Sequence, residues 1–124
     1  MADAAVLPNS EPVAILAESE DAVQDTWAHY GLPDDAPEVR TARDAVLFVG
    51  LGESSTCRLE YDGYLVRGKR REIEIQLGGA WPRECVDDFL PRTFVVAIPK
   101  ADLPPGRLHV VTEVGDELRV KRRG

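Results

Sequence analysis

The sequence is poor in sulfur and in aromatic residues: its 124 residues include two cysteines, one methionine and 6% aromatic residues. It also lacks an apolar run near the roughly 18 residues that a membrane-spanning helix needs. It contains neither a Gly-Lys-Ser/Thr phosphate loop nor a Gly-x-Ser-x-Gly nucleophile elbow, and its cysteines are too far apart for a typical zinc site. These absences exclude the best-defined signatures of nucleotide binding, α/β hydrolysis and structural zinc.

The composition that remains is that of an ordinary globular domain. Apolar residues make up 44% of the chain and charged residues 30%. At this length one core can form, and folding buries about two thirds of the surface that the open chain exposes. Nine prolines and ten glycines favour many turns and short elements and argue against an all-helical fold.

Charge is distributed unevenly along the chain. Residues 1–45 hold ten acidic and two basic side chains, a net charge of −8, whereas residues 46–124 hold twelve acidic and thirteen basic side chains, a net charge of +1. Because like charges repel, the acidic third disfavours contact with nucleic acid or an anionic membrane in that region. We therefore expect no nucleic-acid partner and no membrane span.

The chain divides into three segments. Residues 1–12 are aperiodic and predict a flexible leader, residues 13–121 a single β-rich domain, and residues 122–124 a basic tail. The first residues lack the basic and apolar regions of a signal peptide. We thus expect either a native cytosolic product or a chain in which Met1 replaces a removed signal or lipoprotein leader.

One helix is predicted near the start of the domain, after a short strand at residues 13–16. Ser19 offers an N-cap, acidic residues follow in the first turn, and Gly31 supplies a C-terminal stop, so the helix should span about residues 20–30. An acidic loop at residues 32–44 should follow it. The apolar face of the helix carries Val23, Trp27 and Tyr30.

The rest of the domain has the pattern of short strands separated by turns. The dipeptide Asp62-Gly63 predicts either a hairpin turn or, as we favour, a β-bulge. The fold class expected is mainly β (α+β): an antiparallel β-sandwich or open barrel of about seven short strands with one N-terminal helix. Beyond the first, strands are predicted at about residues 45–51, 58–67, 72–77, 93–98, 107–112 and 117–121.

The two cysteines, Cys57 and Cys85, each lie at the edge of a predicted strand. A bond between them would close a loop of about 29 residues and stabilise the domain by about 3 to 4 kcal/mol. Such a bond would indicate an oxidising compartment outside the cytoplasm. Two buried free thiols are the first alternative and a metal or catalytic role is the second, so the sequence favours the disulfide without deciding the question.

The loop before Cys85 is the candidate interaction site. It contains Gly79, Trp81, Pro82 and Arg83, and Trp and Arg are enriched among residues that dominate binding interfaces. The competing interpretation is that Trp81 folds back over the sheet edge as part of the core.

No catalytic residue, metal site or cofactor is predicted. His29 and His109 have no partner at a motif spacing and are interpreted as structural or solvent-facing side chains. The adjacent carboxylates Asp87 and Asp88 are interpreted as caps for backbone donors in a loop rather than as an acid–base pair. We therefore expect a protein that is not an enzyme.

Residues 46–99 resemble a group of uncharacterised bacterial extracytoplasmic domains, many of them lipoproteins. In these a Ser-rich turn and a cysteine follow a core strand, as in residues 52–57, and a second cysteine, an Asp, a Pro-x-Thr and a strand ending in Pro follow, as in residues 85–99. The order of elements around the Trp27 helix is also similar to the protease-stability-subunit-like domain family, across about residues 13–112. The Thr-Gly-Gly-Tyr turn of that family is replaced by Thr56-Cys57-Arg58-Leu59.

The resemblance implies a disulfide between Cys57 and Cys85, a small β-rich fold and no enzymatic activity. The function expected is that of a secreted or membrane-anchored envelope domain that contacts another protein through loops at one end. One alternative is an immunoglobulin-like inhibitor or accessory subunit of an extracellular protease that acts through Trp81. Another is a small cytosolic domain with reduced thiols.

Overall fold

The computed structural model describes residues 13–79, 84–88, 90–113, 115 and 117–124. Within them the chain forms seven strands, one α-helix and two short 3-10 helices. The predicted loop residues Trp81, Pro82 and Arg83 lie outside the described residues, as does the leader at residues 1–12. The elements are β1 Val13–Ala17, α1 Glu20–His29, β2 Asp44–Glu53, β3 Glu60–Arg67, η1 Gly68–Arg70, β4 Glu72–Gly78, β5 Leu90–Pro99, η2 Lys100–Asp102, β6 His109–Thr112 and β7 Glu117–Arg123.

The seven strands form one sheet in the order β3-β4-β6-β7-β1-β2-β5, which curls until it is nearly closed into a barrel. The prediction of a mainly β open barrel with one N-terminal helix is confirmed. The pairs β1–β7 and β4–β6 are parallel, and the other four pairs are antiparallel. Turn signals mark where strands end but not which strands become neighbours across long connections, so the sequence did not predict the parallel pairs.

The barrel interior is filled by alternate side chains of the strands. In β4 the inward positions Ile73, Ile75 and Leu77 are buried and the outward positions between them are polar, as the alternating sequence predicts. Strand β2 is different because it is apolar throughout. Its Leu47 and Val49 point into the barrel core, and its Val46 and Phe48 join a second cluster outside the barrel.

Helix α1 covers the outer face of β1 and β2 and explains that second cluster. The Ser19 hydroxyl accepts a hydrogen bond from the Ala22 N–H at 3.1 Å and caps the helix as predicted. At the other end Tyr30 stacks on Phe48, with ring centroids 5.8 Å apart and planes at 3°. Because β2 is covered on both faces, its residues 45–49 are all buried. No helix in the described part of the chain is long and apolar enough to cross a membrane.

The favoured β-bulge is confirmed in β3. The register with β4 shifts between Tyr61 and Gly63, so the extra residue, Asp62, has no partner of its own across the pair. Gly63 has a φ of 148°, a conformation that residues with a side chain rarely adopt.

Residues Arg122 and Arg123 are not a tail, which corrects the predicted boundary at residue 121. Both belong to β7 and pair with the last residues of β1. The Arg122 guanidinium donates hydrogen bonds to the carbonyl oxygens of Pro104 and Gly106 at 3.0 and 2.8 Å and lies 3.2 Å from a carboxylate oxygen of Glu18. Three consecutive basic residues predict a solvated tail, but pairing with the parallel strand β1 orders them.

Candidate functional site at the disulfide end

The candidate site is the end of the barrel where residues 54–57 and 84–88 meet, which we call the disulfide end. Cys57 and Cys85 form a disulfide with their Cα atoms 5.7 Å apart. Cys57 is buried, with 5% of its surface exposed, whereas Cys85 is exposed. The predicted bridge is therefore present, and the two described cysteines leave no free thiol. A disulfide is consistent with an oxidising compartment.

Hydrogen bonds reinforce the covalent link on both sides of Val86. The Ser54 hydroxyl donates to the Val86 carbonyl oxygen at 2.6 Å, and the Thr56 hydroxyl oxygen accepts from the Val86 N–H at 2.8 Å. Both backbone polar groups of Val86 are thus held by the turn that precedes Cys57. The sequence pattern Ser-Ser-Thr-Cys indicates a turn, but it does not reveal that its hydroxyls bind a segment 30 residues away.

Asp88 adds a third link between the same two segments. Its carboxylate accepts a hydrogen bond from the Ser55 N–H at 2.9 Å. Hydrogen bonds from Ser55 lower the pKa of Asp88 below its ordinary value, because they stabilise the ionised form. The interpretation of Asp88 as a cap for backbone donors thus describes its contact in the structure.

Beneath the disulfide end lies a buried carboxylate that the sequence analysis missed. The Glu53 side chain is 1% exposed. One oxygen accepts from Arg58 Nε at 2.6 Å, the other accepts from the Leu59 N–H at 2.7 Å, and Arg92 Nη1 lies 3.2 Å from that second oxygen. The sequence did contain a signal for this site, namely a charged residue at the end of an apolar strand. A carboxylate at such a position is buried only when hydrogen-bonding or oppositely charged groups contact it.

The cluster formed by Glu53 and its partners has a structural role. Arg92 Nη1 also donates to the Leu59 carbonyl oxygen at 2.7 Å, and its guanidinium carbon lies 4.9 Å from the centre of the Phe94 ring. Strand β5 and the segment before β3 are the two borders of the incompletely closed sheet. Arg92 therefore joins them by a side chain where no strand ladder does.

The surface above this base combines exposed apolar and acidic side chains. Val86 is 51% exposed and Leu90 is 37% exposed. Only one other large hydrophobic side chain in the described residues, Leu65 on β3, is comparably exposed. The acidic side chains around Val86 and Leu90 are Glu84, Asp87 and Asp88.

Gly79 and Cys85 are described residues that flank the predicted interaction loop. Gly79 follows β4 with a φ of 152°, and Cys85 fixes the other end of the loop. Trp81, Pro82 and Arg83 lie outside the described residues, so their predicted role and the alternative packing of Trp81 stay predictions.

The histidines are placed apart from each other and from the disulfide end. His29 is exposed at the end of α1, where its ring contacts Tyr30 edge to face at 5.3 Å. His109 begins β6, and its Nε2 lies 3.3 Å from a carboxylate oxygen of Glu72. Among the described residues no group of three or more His, Cys, Asp or Glu side chains is arranged to hold a metal ion.

A groove of about 350 Å³ lies between the first turns of α1 and residues 36–41. The residues that line it include the apolar Val23 and Val39 and the charged Glu20, Glu38 and Arg40. This mixture of charges selects no single class of ligand, so the groove is a weaker candidate than the disulfide end.

Comparisons with protein-family models, with curated proteins and with solved structures found no match to this chain. The fold and the geometry of the disulfide end therefore carry the functional argument.

Proposed function

We propose that this chain is a non-enzymatic domain of an extracytoplasmic compartment, secreted or membrane-anchored, that binds another protein through the disulfide end. The observation that carries the proposal is the fixation of residues 84–88. One disulfide and three hydrogen bonds tie this short segment to the turn at residues 54–57.

Rigidity is what makes this segment suited to binding. A loop that is ordered before its partner arrives loses less conformational entropy on association, so more of the contact energy appears as affinity. Val86 supplies the apolar contact, since its backbone is held while half of its surface stays exposed. The carboxylates of Glu84 and Asp87 beside it favour a partner whose contact surface carries basic groups.

The same bond supports the proposed compartment. Disulfides persist in oxidising environments and are rare in the cytoplasm of most organisms. The exposed Cys85 sulfur would be open to cellular reductants there. The alternative of a cytosolic domain with reduced thiols would leave the turn at residues 54–57 without its covalent link.

A photo-crosslinking amino acid at position 86, in the full chain made by its own cells, tests the proposal. We expect one adduct of reproducible mass, and we expect it to be lost in the variant Cys57→Ser/Cys85→Ser. The matched control is the same amino acid at position 65, since Leu65 is 43% exposed but lies on the outer face of β3. Equal crosslinking from both positions, or none from position 86, would contradict the proposal.

A binding measurement with the crosslinked partner then assigns the contact. Val86→Asp should weaken binding by at least tenfold, because a charge would replace a desolvated apolar contact. Leu65→Asp should leave the affinity unchanged. Trp81→Ala tests the alternative function, which is inhibition of an extracellular protease through Trp81. If that function is correct, the substitution should abolish inhibition and leave the fold intact.

A further inference from the structure

Five exposed basic side chains gather at the end of the barrel opposite to the disulfide end. Lys69 and Arg70 belong to the 3-10 helix η1, which connects β3 to β4. Arg71 lies between η1 and β4. Arg107 lies just before β6, and Lys121 is near the end of β7. All five are exposed. We call these residues, Lys69, Arg70, Arg71, Arg107 and Lys121, the basic end.

The strand register places Arg107 beside Lys121. Strands β6 and β7 are antiparallel with His109 opposite Arg119, and the Val120 N–H donates to the Leu108 carbonyl oxygen at 3.1 Å. Two residues further along this ladder, the partner of residue 107 is residue 121, on the same face of the sheet.

Arg71 extends this row onto a third strand. The His109 N–H donates to the Arg71 carbonyl oxygen at 3.0 Å, which aligns the starts of β4 and β6. A Cβ atom at Gly106 would lie 3.2 Å from Arg71 Nη1, so the Arg71 guanidinium lies against the residue before Arg107. Arg71, Arg107 and Lys121 thus lie at the same end of three neighbouring strands, β4, β6 and β7.

These five cations are not neutralised by neighbours. In the part of the chain that the structure describes, none of them forms an ion pair. Of the acidic groups near this end, Glu72 contacts Arg67 and Glu18 contacts Arg122, and Asp102 is exposed in the connection that leads to Arg107. Five unpaired like charges repel one another, so their collection at one place raises the local positive potential.

The opposite end of the barrel is acidic. The longest strands, β2 and β5, have ten residues each, which separates the two ends by about 30 Å. That distance is several times the Debye length of about 8 Å at physiological ionic strength. A surface that touches the basic end is therefore screened from the acidic one. The exposed carboxylates there are those of Glu84, Asp87 and Asp88 in the disulfide end and those of Glu60, Glu113 and Glu117 at the adjoining strand ends.

We propose that the basic end docks on an anionic phospholipid surface. Cations spread over several strands and a turn suit a two-dimensional array of phosphates better than a single linear strand of them. Protein interfaces have apolar centres. The exposed large hydrophobic side chains of the described residues, Leu65, Val86 and Leu90, do not belong to the basic end. This favours lipid headgroups over the acidic end of a second copy.

Docking in this way orients the domain. The acidic disulfide end points away from the anionic surface, because it lies at the opposite end of the barrel, and is left free for a protein partner. Lipid binding does not depend on the proposed protein contact, since the two surfaces lie at opposite ends. Each can fail experimentally without the other.

Vesicle flotation of the full chain tests the proposal. At low ionic strength we expect binding to vesicles of phosphatidylcholine with 30% phosphatidylglycerol, weakening as salt is raised, and no binding to phosphatidylcholine alone. The variant Lys69→Gln/Arg107→Gln should bind the anionic vesicles at least about tenfold more weakly, because each basic residue near an anionic surface strengthens binding by about fivefold.

The matched control carries the same net charge. Gln24→Glu/Ala28→Glu also lowers the net charge by two, at exposed positions of α1, and should bind like the unchanged protein. Absence of binding to anionic vesicles, or equal loss in both variants, would overturn the proposal. So would self-association in sedimentation velocity that Lys69→Gln/Arg107→Gln abolishes, because the basic end would then belong to a second copy.

Discussion

Arg92 lies 3.2 Å from the buried carboxylate of Glu53 and also bonds the Leu59 carbonyl oxygen, and this second contact joins the two borders of the barrel where its sheet is open. Strands β5 and β3 are the first and last strands of the sheet and have no ladder between them. Arg92 also donates to the Leu59 carbonyl oxygen, immediately before β3. The disulfide end thus has a polar base below and a covalent link above.

Replacing Glu53 tests this base. Glu53→Gln should lower the free energy of unfolding by about 3 kcal/mol, because Arg92 and the Leu59 N–H would lose a buried charged acceptor. Urea unfolding measures the change. Glu72→Gln is the matched control, since its partner Arg67 is 33% exposed and such pairs contribute less than about 1 kcal/mol. Equal losses in the two variants would contradict a special role for Glu53.

Removing the disulfide should destabilise the domain without changing its fold. The cysteines are 28 residues apart, and the chain-entropy relation gives a loss of about 3.6 kcal/mol for Cys57→Ser/Cys85→Ser. The urea midpoint should fall, while the near-ultraviolet circular dichroism of the folded protein stays the same. An unchanged midpoint would mean that hydrogen bonds alone fix residues 84–88.

Acid should loosen the contact between Asp88 and Ser55. Because the folded-state pKa of Asp88 is lowered, its contribution to stability is present above 3.8 and is lost as the pH falls through the folded value. Amide exchange of Ser55, measured by NMR, should therefore accelerate in that pH range. Asp88→Asn should remove this pH dependence. An Asp88 carboxyl that titrates at or above its ordinary value would contradict the hydrogen-bond account.

Two glycines of neighbouring elements should respond oppositely to substitution. Gly63→Ala should destabilise the domain by more than about 1 kcal/mol, since its φ is 148° and the new Cβ would lie 3.3 Å from Gln76 Oε1. Gly68→Ala meets nothing within 4 Å and should be neutral or stabilising by about 0.5 kcal/mol. Thermal unfolding of the two variants checks the bulge, and a tolerated alanine at position 63 would argue against it.

The sequence predicted the features that depend on local chemistry. Ser19 caps the helix, and Asp62-Gly63 forms a bulge. Each follows from a preference of a few adjacent residues. The position of Cys57 and Cys85 at strand edges likewise favoured the bond that the structure contains.

Features that depend on distant partners could not be predicted in the same way. Glu53 is buried because Arg92 and Leu59 reach it from separate parts of the chain. Arg122 is ordered because β7 runs parallel to β1, its partner from the start of the domain. The hydroxyls of Ser54 and Thr56 form hydrogen bonds with the backbone of Val86, which is 30 or more residues away. None of these pairings leaves a periodic signal in the sequence.

Mapping the disulfide in protein taken directly from its own cells is the most direct test of the account. Free thiols are alkylated during lysis, and the protein is then digested without reductant and analysed by mass spectrometry. The account predicts one crosslinked peptide pair that contains Cys57 and Cys85 and separates on reduction. Recovery of both cysteines in alkylated form would contradict it. Residues 84–88 would then have no covalent link to residue 57, and the assignment to an oxidising compartment would have no basis.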